Sequence, residues 1–108
     1  IYGECGGYMV LGETIVDAEG TSYPMAGLLL LETSFKKRKL HLGYHRMTPL
    51  AQAWPGLEPL TGHEFHYTSS TRAEGDPLFA VSDAAGRDLG TMGLVRGSVA
   101  GSYAHIIA

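Results

Sequence analysis

Gly3-Glu4-Cys5-Gly6-Gly7, followed by Tyr8-Met9-Val10-Leu11-Gly12, is the stretch on which the fold turns. Ile1-Tyr2 reads as the stub of a strand feeding the glycine-flanked cysteine. Gly7 to Leu11 reads as a short helix stopped by Gly12, the usual C-terminal breaker. A Gly-x-Cys-x-Gly segment between strand and helix has the form of a nucleophile elbow, which holds the nucleophile in a strained turn. The flanking glycines are expected because a Cβ there would clash where strand and helix pass closely. The helix behind the turn offers backbone N–H groups. That of Gly6 can serve a developing oxyanion, and the helix start favours thiolate over thiol. Spacing alone leaves two readings open, a nucleophile at Cys5 and an inert, buried thiol in a glycine-rich turn.

The rest of the chain narrows the class. Its 108 residues, 44% hydrophobic and 18% charged, make one domain, residues 1–108, with enough material for a single core. A formal charge of −3 provides no broad basic face for nucleic acid or anionic lipid. Lys36-Lys37-Arg38-Lys39 is the one basic run, and it lacks the aromatic interleaving of a nucleic-acid groove. One cysteine rules out an internal disulfide. The longest apolar run, Ala26 to Leu31, is far short of the ~20 residues that span a bilayer. A cytoplasmic protein with no nucleic-acid or membrane partner is expected. The chain begins at Ile1, almost inside its own turn, and reads as a piece of a longer polypeptide.

Onward from the elbow the pattern is mostly strands. Asp17 to Ser22 is turn chemistry, and Ala26 to Thr33 is a continuous apolar run of the kind covered on both faces. Arg38 to Arg46 alternates, with Leu40, Leu42 and Tyr44 on one side. Pro49 to Pro59 is a loop carrying Trp54. Gly62 to Ser69 sets His63, Phe65 and Tyr67 opposite Glu64, His66 and Thr68. Leu78–Ser82 and Leu89–Arg96 flank a hairpin-like turn at Asp83 to Asp88, and Gly97 to Ala108 is extended chain leading to His105.

A thiol nucleophile needs a proton acceptor, and His105 is placed for it, because ends of neighbouring strands meet at one sheet edge. A hydrogen-bonded structural role is the other reading of that histidine. Metal binding is not expected. His41 and His45 lie ~13 Å apart along a strand, and His63-Glu64-Phe65-His66 is not the spacing of a helical zinc protease. Glu64 and His66 share a strand face and line a polar site or, on the plainer reading, a solvated surface.

Taken in order, the motifs resemble a known family, the glutamine amidotransferase domains of corrinoid (cobyrinic or hydrogenobyrinic acid) a,c-diamide synthases. The resemblance runs through Tyr2 to Gly12, Leu31-Glu32-Thr33-Ser34-Phe35, Arg38 to Tyr44, Gly62 to Tyr67 and Gly101-Ser102-Tyr103-Ala104-His105. It implies an α/β fold, the C-terminal half of a class I, flavodoxin-like amidotransferase domain, strand-rich in this piece. It implies Cys5 attacking the side-chain amide of glutamine and His105 acting as base, then acid. ATP and magnesium would belong to a synthetase part that acts on the corrinoid and lies outside this chain, and no cofactor is expected within it. Two positions depart from the wider superfamily. Ile107 stands where most members carry Glu two residues after the histidine, and Met9 where most carry Gln. The first leaves the partner that orients His105 unassigned, with Glu64 as a candidate. Cobyric acid synthase domains are the nearest alternative, and a non-catalytic β-rich module is the alternative of a different class. As a fragment of a parallel sheet, the chain is expected to be ordered only as an oligomer or against the rest of its parent.

Overall fold

The computed structural model describes residues 1–36, 40–50, 59–83 and 85–106. Most of the basic run, Trp54 with most of its loop, Ala84 and Ile107 therefore lie outside the described residues. The elements in order are β1 (Tyr2–Glu4), α1 (Gly6–Leu11), β2 (Thr14–Val16), β3 (Ser22–Pro24), β4 (Leu30–Ser34), β5 (His41–Pro49), β6 (Leu60–His66), β7 (Ser69–Glu74), β8 (Asp76–Ser82), β9 (Asp88–Arg96), β10 (Val99–Ser102) and β11 (His105–Ile106). They form a seven-stranded sheet, β1-β10-β9-β8-β5-β6-β11, and a four-stranded one, β3-β2-β4-β7. Among the described residues, the one short helix and the strand-rich remainder follow the sequence reading.

The parallel sheet does not. Only β1–β10 and β2–β4 run parallel, and the other pairings are antiparallel. The reason is in the connections. A parallel crossover needs about a dozen residues or more, whereas the paired neighbours β5–β6, β8–β9 and β9–β10 are joined by ten residues or fewer. The hairpin between β8 and β9 turns where its composition places it. The Asp83 carboxylate accepts from the Ala85 and Arg87 N–H groups at 3.0 and 2.9 Å.

Strand boundaries moved for local reasons. Ala26 to Leu29 is not strand, because its N–H groups donate to the carbonyls of Val10, Leu11 and Gly12. These are carbonyls that a helix end leaves without intrahelical donors. Strand β3 begins at Ser22, as soon as the Asp17 carboxylate has closed its turn onto the Glu19 and Thr21 N–H groups. Strand β7, Ser-Ser-Thr-Arg-Ala-Glu, carries no apolar alternation and is held by backbone pairing to β4.

Two apolar clusters make the interior. In one, Tyr8, Met9 and Leu11 of α1 pack on Leu29, Leu31, Leu94, Val99 and Tyr103. In the other, Met47, Leu78, Phe79, Val81, Ala100 and Ala104 fill the inner face of the large sheet. Each fully buried Leu or Phe contributes about 1.5–3 kcal/mol. The large sheet curls at one corner until its edge strands meet, where the Glu4 side chain of β1 accepts the Ile106 N–H of β11 at 2.9 Å. No helix among the described residues is long and apolar enough to cross a membrane.

Strand β1 and α1 approach so closely that a Cβ on Gly3 would lie 2.7–2.8 Å from the Gly7 backbone and 2.8 Å from a Leu11 methyl. A Cβ on Gly7 meets nothing within 4 Å. The clash argument therefore applies to the first flanking glycine and not to the second. Gly3→Ala is expected to destabilise by roughly 1–3 kcal/mol through overpacking, whereas Gly7→Ala is neutral or stabilising by up to about 1 kcal/mol through helix propensity. Urea unfolding of the two variants checks the contrast.

Candidate active site

Cys5 occupies the turn between β1 and α1 with φ 52° and ψ −109°, and it is the only non-glycine residue with positive φ among the described residues. Such a conformation costs a side-chain-bearing residue on the order of 1–3 kcal/mol and persists only where its surroundings impose it. Here the backbone is fixed on both sides. The Cys5 N–H donates to the Ser102 carbonyl at 2.9 Å, and the Cys5 carbonyl accepts the Met9 N–H at 3.1 Å. The thiol is half-buried and unbridged. This is the elbow geometry read from the glycine spacing.

The parallel register of β1 on β10 sets Glu4 opposite Ser102, so the segment leading to His105 runs past the turn. Tyr103 is close enough to Cys5 for the two to interact electrostatically. Burial is the main cause that raises the Tyr103 phenol above its ordinary value, and the nearby Cys5 and Glu64 add to it. His105 begins β11, pairs with His63 on β6, and is about half exposed. Its Nδ1 lies 3.6 Å from a carboxylate oxygen of Glu4. The sequence reading passed over Glu4 because its neighbours in the chain say nothing of a strand a hundred residues away.

Glu64 is not the partner of His105. Its Oε1 accepts from His45 Nε2 at 2.9 Å, and its Oε2 lies 2.6 Å from His66 Nε2. His66 Nδ1 faces the Thr68 carbonyl at 2.8 Å, which can only accept, so that nitrogen carries a hydrogen. The 2.6 Å contact needs a second proton, shared between imidazole and carboxylate. The His66 hydrogen bond is the main cause that holds the Glu64 carboxyl down at about 2. The His45 bond assists, and partial burial opposes. The His66 ring is 7% exposed and is sandwiched between Tyr103, centroids 3.8 Å apart, and His41, centroids 4.8 Å apart.

The face shared by Glu64 and His66 is thus the inner one, and the solvated-surface reading fails. The outer face carries Leu42, Tyr44, Phe65 and Tyr67 instead. The cross-strand register His41↔His66 also gathers what spacing along one strand kept apart. Ligand-type atoms of His41, Glu64 and His66 lie within 4.8 Å of one another. Of these, Glu64 and His66 are hydrogen-bonded to each other at 2.6 Å, whereas His41 Nε2 is bonded to the Ser69 hydroxyl at 3.1 Å.

Comparison with known proteins agrees with the order of these features along the chain. The profile of the family described as the CobB/CobQ-like glutamine amidotransferase domain matches residues 1–108. The chain is 60% identical over 108 residues to the hydrogenobyrinate a,c-diamide synthase of Brucella anthropi, covering 99% of this chain and 24% of that protein. Against the synthases of the same name from a Sinorhizobium species and from Rhodobacter capsulatus, identity is 61% over 109 residues and 52% over 111. The alignments cover 99% and 100% of this chain and 25% of each relative. The chain thus spans about a quarter of the length of the curated relatives it matches.

The Glu64 network makes a prediction about stability. Because the folded-state carboxyl sits below the ordinary value of 4.5, its contribution is present above that pH. It is lost as pH falls towards about 2. Glu64→Gln should destabilise at pH 7 by on the order of 1–3 kcal/mol, the cost of leaving a buried polar partner unmatched. It should also flatten the fall in stability between about pH 4.5 and 2. Urea midpoints of both proteins at pH 7 and pH 3 measure the two effects.

Proposed function

The chain belongs to the CobB/CobQ-like glutamine amidotransferase domains, and from that premise we propose that it is the glutamine-hydrolysing part of a larger ligase that forms corrinoid a,c-diamides. Hydrogenobyrinate is the preferred acceptor, after the printed names of the relatives, with cobyrinate its cobalt-bearing counterpart. The observation that carries the reading is the strained turn at Cys5, since no packing need explains a cysteine at φ 52° where glycines stand on both sides.

The reaction follows from the residues around that turn. The Cys5 sulfur attacks the side-chain carbonyl carbon of glutamine while His105 takes the thiol proton. The carbonyl oxygen becomes an oxyanion beside the Gly6 N–H, which opens α1 and has no intrahelical acceptor. Collapse of the adduct breaks the C–N bond, the imidazole returns its proton to the leaving nitrogen, and ammonia departs. A water molecule deprotonated by the same imidazole then cleaves the thioester to glutamate. Activation of the acceptor carboxylates with ATP and magnesium is assigned to the remainder of the ligase. The domain is read as the C-terminal part of a class I, flavodoxin-like amidotransferase unit in a cytoplasmic, oligomeric enzyme.

In the full-length protein, Cys5→Ser and His105→Ala should each lower glutamine-dependent amide formation by about 10²–10⁴-fold. Synthesis from free ammonia should be unchanged. A diazoketone analogue of glutamine should label Cys5, as peptide mass analysis would show. The 108 residues alone should release no ammonia from glutamine, because the second oxyanion donor and the rest of the glutamine pocket are expected outside them. Equal loss of both activities in the two variants, or absence of label on Cys5, contradicts the assignment.

A further inference from the structure

The two edge strands of the seven-stranded sheet meet through one side chain, that of Glu4. One of its oxygens, Oε2, is pinned by two donors, the Ile106 N–H at 2.9 Å and the Tyr2 hydroxyl at 3.0 Å. Burial and the adjacent carboxylate push the Tyr2 phenol well above its ordinary value, so it stays a donor across the working range. With Oε2 held, Oε1 is turned towards His105 Nδ1 at 3.6 Å. An exposed carboxylate–imidazole pair is ordinarily worth little. This one differs because the same carboxylate fixes the backbone of the residue that follows the histidine, and because Glu4 is joined directly to Cys5.

We propose that Glu4 is the positioning residue of His105. The inference rests on the reading of Cys5 and His105 as nucleophile and base. The carboxylate holds the hydrogen on Nδ1, which leaves the Nε2 lone pair to take the thiol proton. It also stabilises the imidazolium that forms when the thioester is made. Contacts of this kind are often long in the empty enzyme and tighten when substrate is bound. Glu64 cannot take the role, since both its oxygens are held by His45 and His66. The nucleophile and the group that orients its base therefore sit on consecutive residues of one strained turn, so a shift of that turn moves both together.

The test uses the full-length enzyme with Glu4→Gln and Glu4→Asp, assayed with glutamine and with ammonia. Nitrogen-15 NMR of labelled histidine reports the His105 tautomer. Glu4→Gln should lower kcat for glutamine about 10–100-fold with KM within twofold, leave the ammonia-dependent rate unchanged, and convert His105 from a single Nδ1–H form to a mixture. Glu4→Asp, which keeps the charge, should recover at least part of the rate and of the Nδ1–H form. A Glu4→Gln enzyme within twofold of wild type in kcat with the same tautomer overturns the proposal, as does an equal fall in the ammonia-dependent rate. Should Glu4→Gln fail to fold, Glu4→Asp decides by the same readings. A 3–10-fold loss confined to the glutamine-dependent kcat, with a mixed tautomer, supports the proposal, and a rate within twofold with an unchanged tautomer overturns it. Cys5→Ala separates the two levels of inference. If it spares glutamine use, the nucleophile reading itself fails. If it abolishes glutamine use while Glu4→Gln does not, only the role of Glu4 falls.

Discussion

The parallel pairing of β1 on β10, three residues long, positions everything else at the site. It delivers the Ser102 carbonyl to the Cys5 N–H, so the residue that must adopt positive φ is tied down on its N-terminal side. It also brings the chain beyond Ser102 past the turn, with Tyr103 close enough to Cys5 to feel its charge. Helix α1 could not hold the turn by itself, because six residues are far below the length at which a helix is stable in water. Burial of Tyr8, Met9 and Leu11 in the first cluster holds it in place, and Gly3 is the opening that lets α1 come down onto β1. The strain at Cys5 is thus offset by ordinary apolar packing a few ångströms away.

A second constraint runs through the middle of the molecule. His66 is stacked on Tyr103, Tyr103 meets Tyr8 edge to face at 5.2 Å, and the Thr68 hydroxyl donates to the Tyr103 oxygen at 3.3 Å. Rings from β6, from α1 and from the connection between β10 and β11 therefore touch in series, one pair stacked and one edge to face. The Glu64 carboxylate closes it by satisfying both His66 and His45. A buried polar network of this kind helps to specify its own geometry, although the buried His45 Nδ1 has no hydrogen-bond partner among the described residues. It supports the segment two residues ahead of His105 without touching the imidazole itself.

These relations explain what the sequence disclosed and what it withheld. The elbow was legible because its signal is local, two glycines about a cysteine with a short helix behind. The β8–β9 hairpin was legible because Asp83 and Gly86 carry turn chemistry of their own. The facing of β5 and β6 was not, since alternation tells which residues share a side and not which side is inward. Burial of apolar side chains would have turned Leu42, Tyr44 and Phe65 inside. The opposite set is inward because Glu64 hydrogen-bonds both His66 and His45, and Met47 enters the core with them. The antiparallel course of the large sheet was hidden behind the expectation of crossover helices. Glu4 was hidden for a different reason, since its partner Ile106 is 102 residues away and only the curl of the sheet joins them.

Two carboxylates of one sheet, Glu64 and Glu4, thus face imidazoles, and their surroundings differ. Glu64 and His66 meet at 2.6 Å with side chains 15% and 6% exposed, and the His66 bond holds the carboxyl far below its ordinary range. So short and sheltered a contact suits a structural tie. Glu4 and His105 stand 3.6 Å apart with side chains 29% and 49% exposed. On the proposed reading of His105 as the base, this looser arrangement leaves the imidazole able to take up and return a proton. The fold separates the two by placing one on the inner face and the other at the corner where β1 and β11 meet, next to Cys5 in the chain.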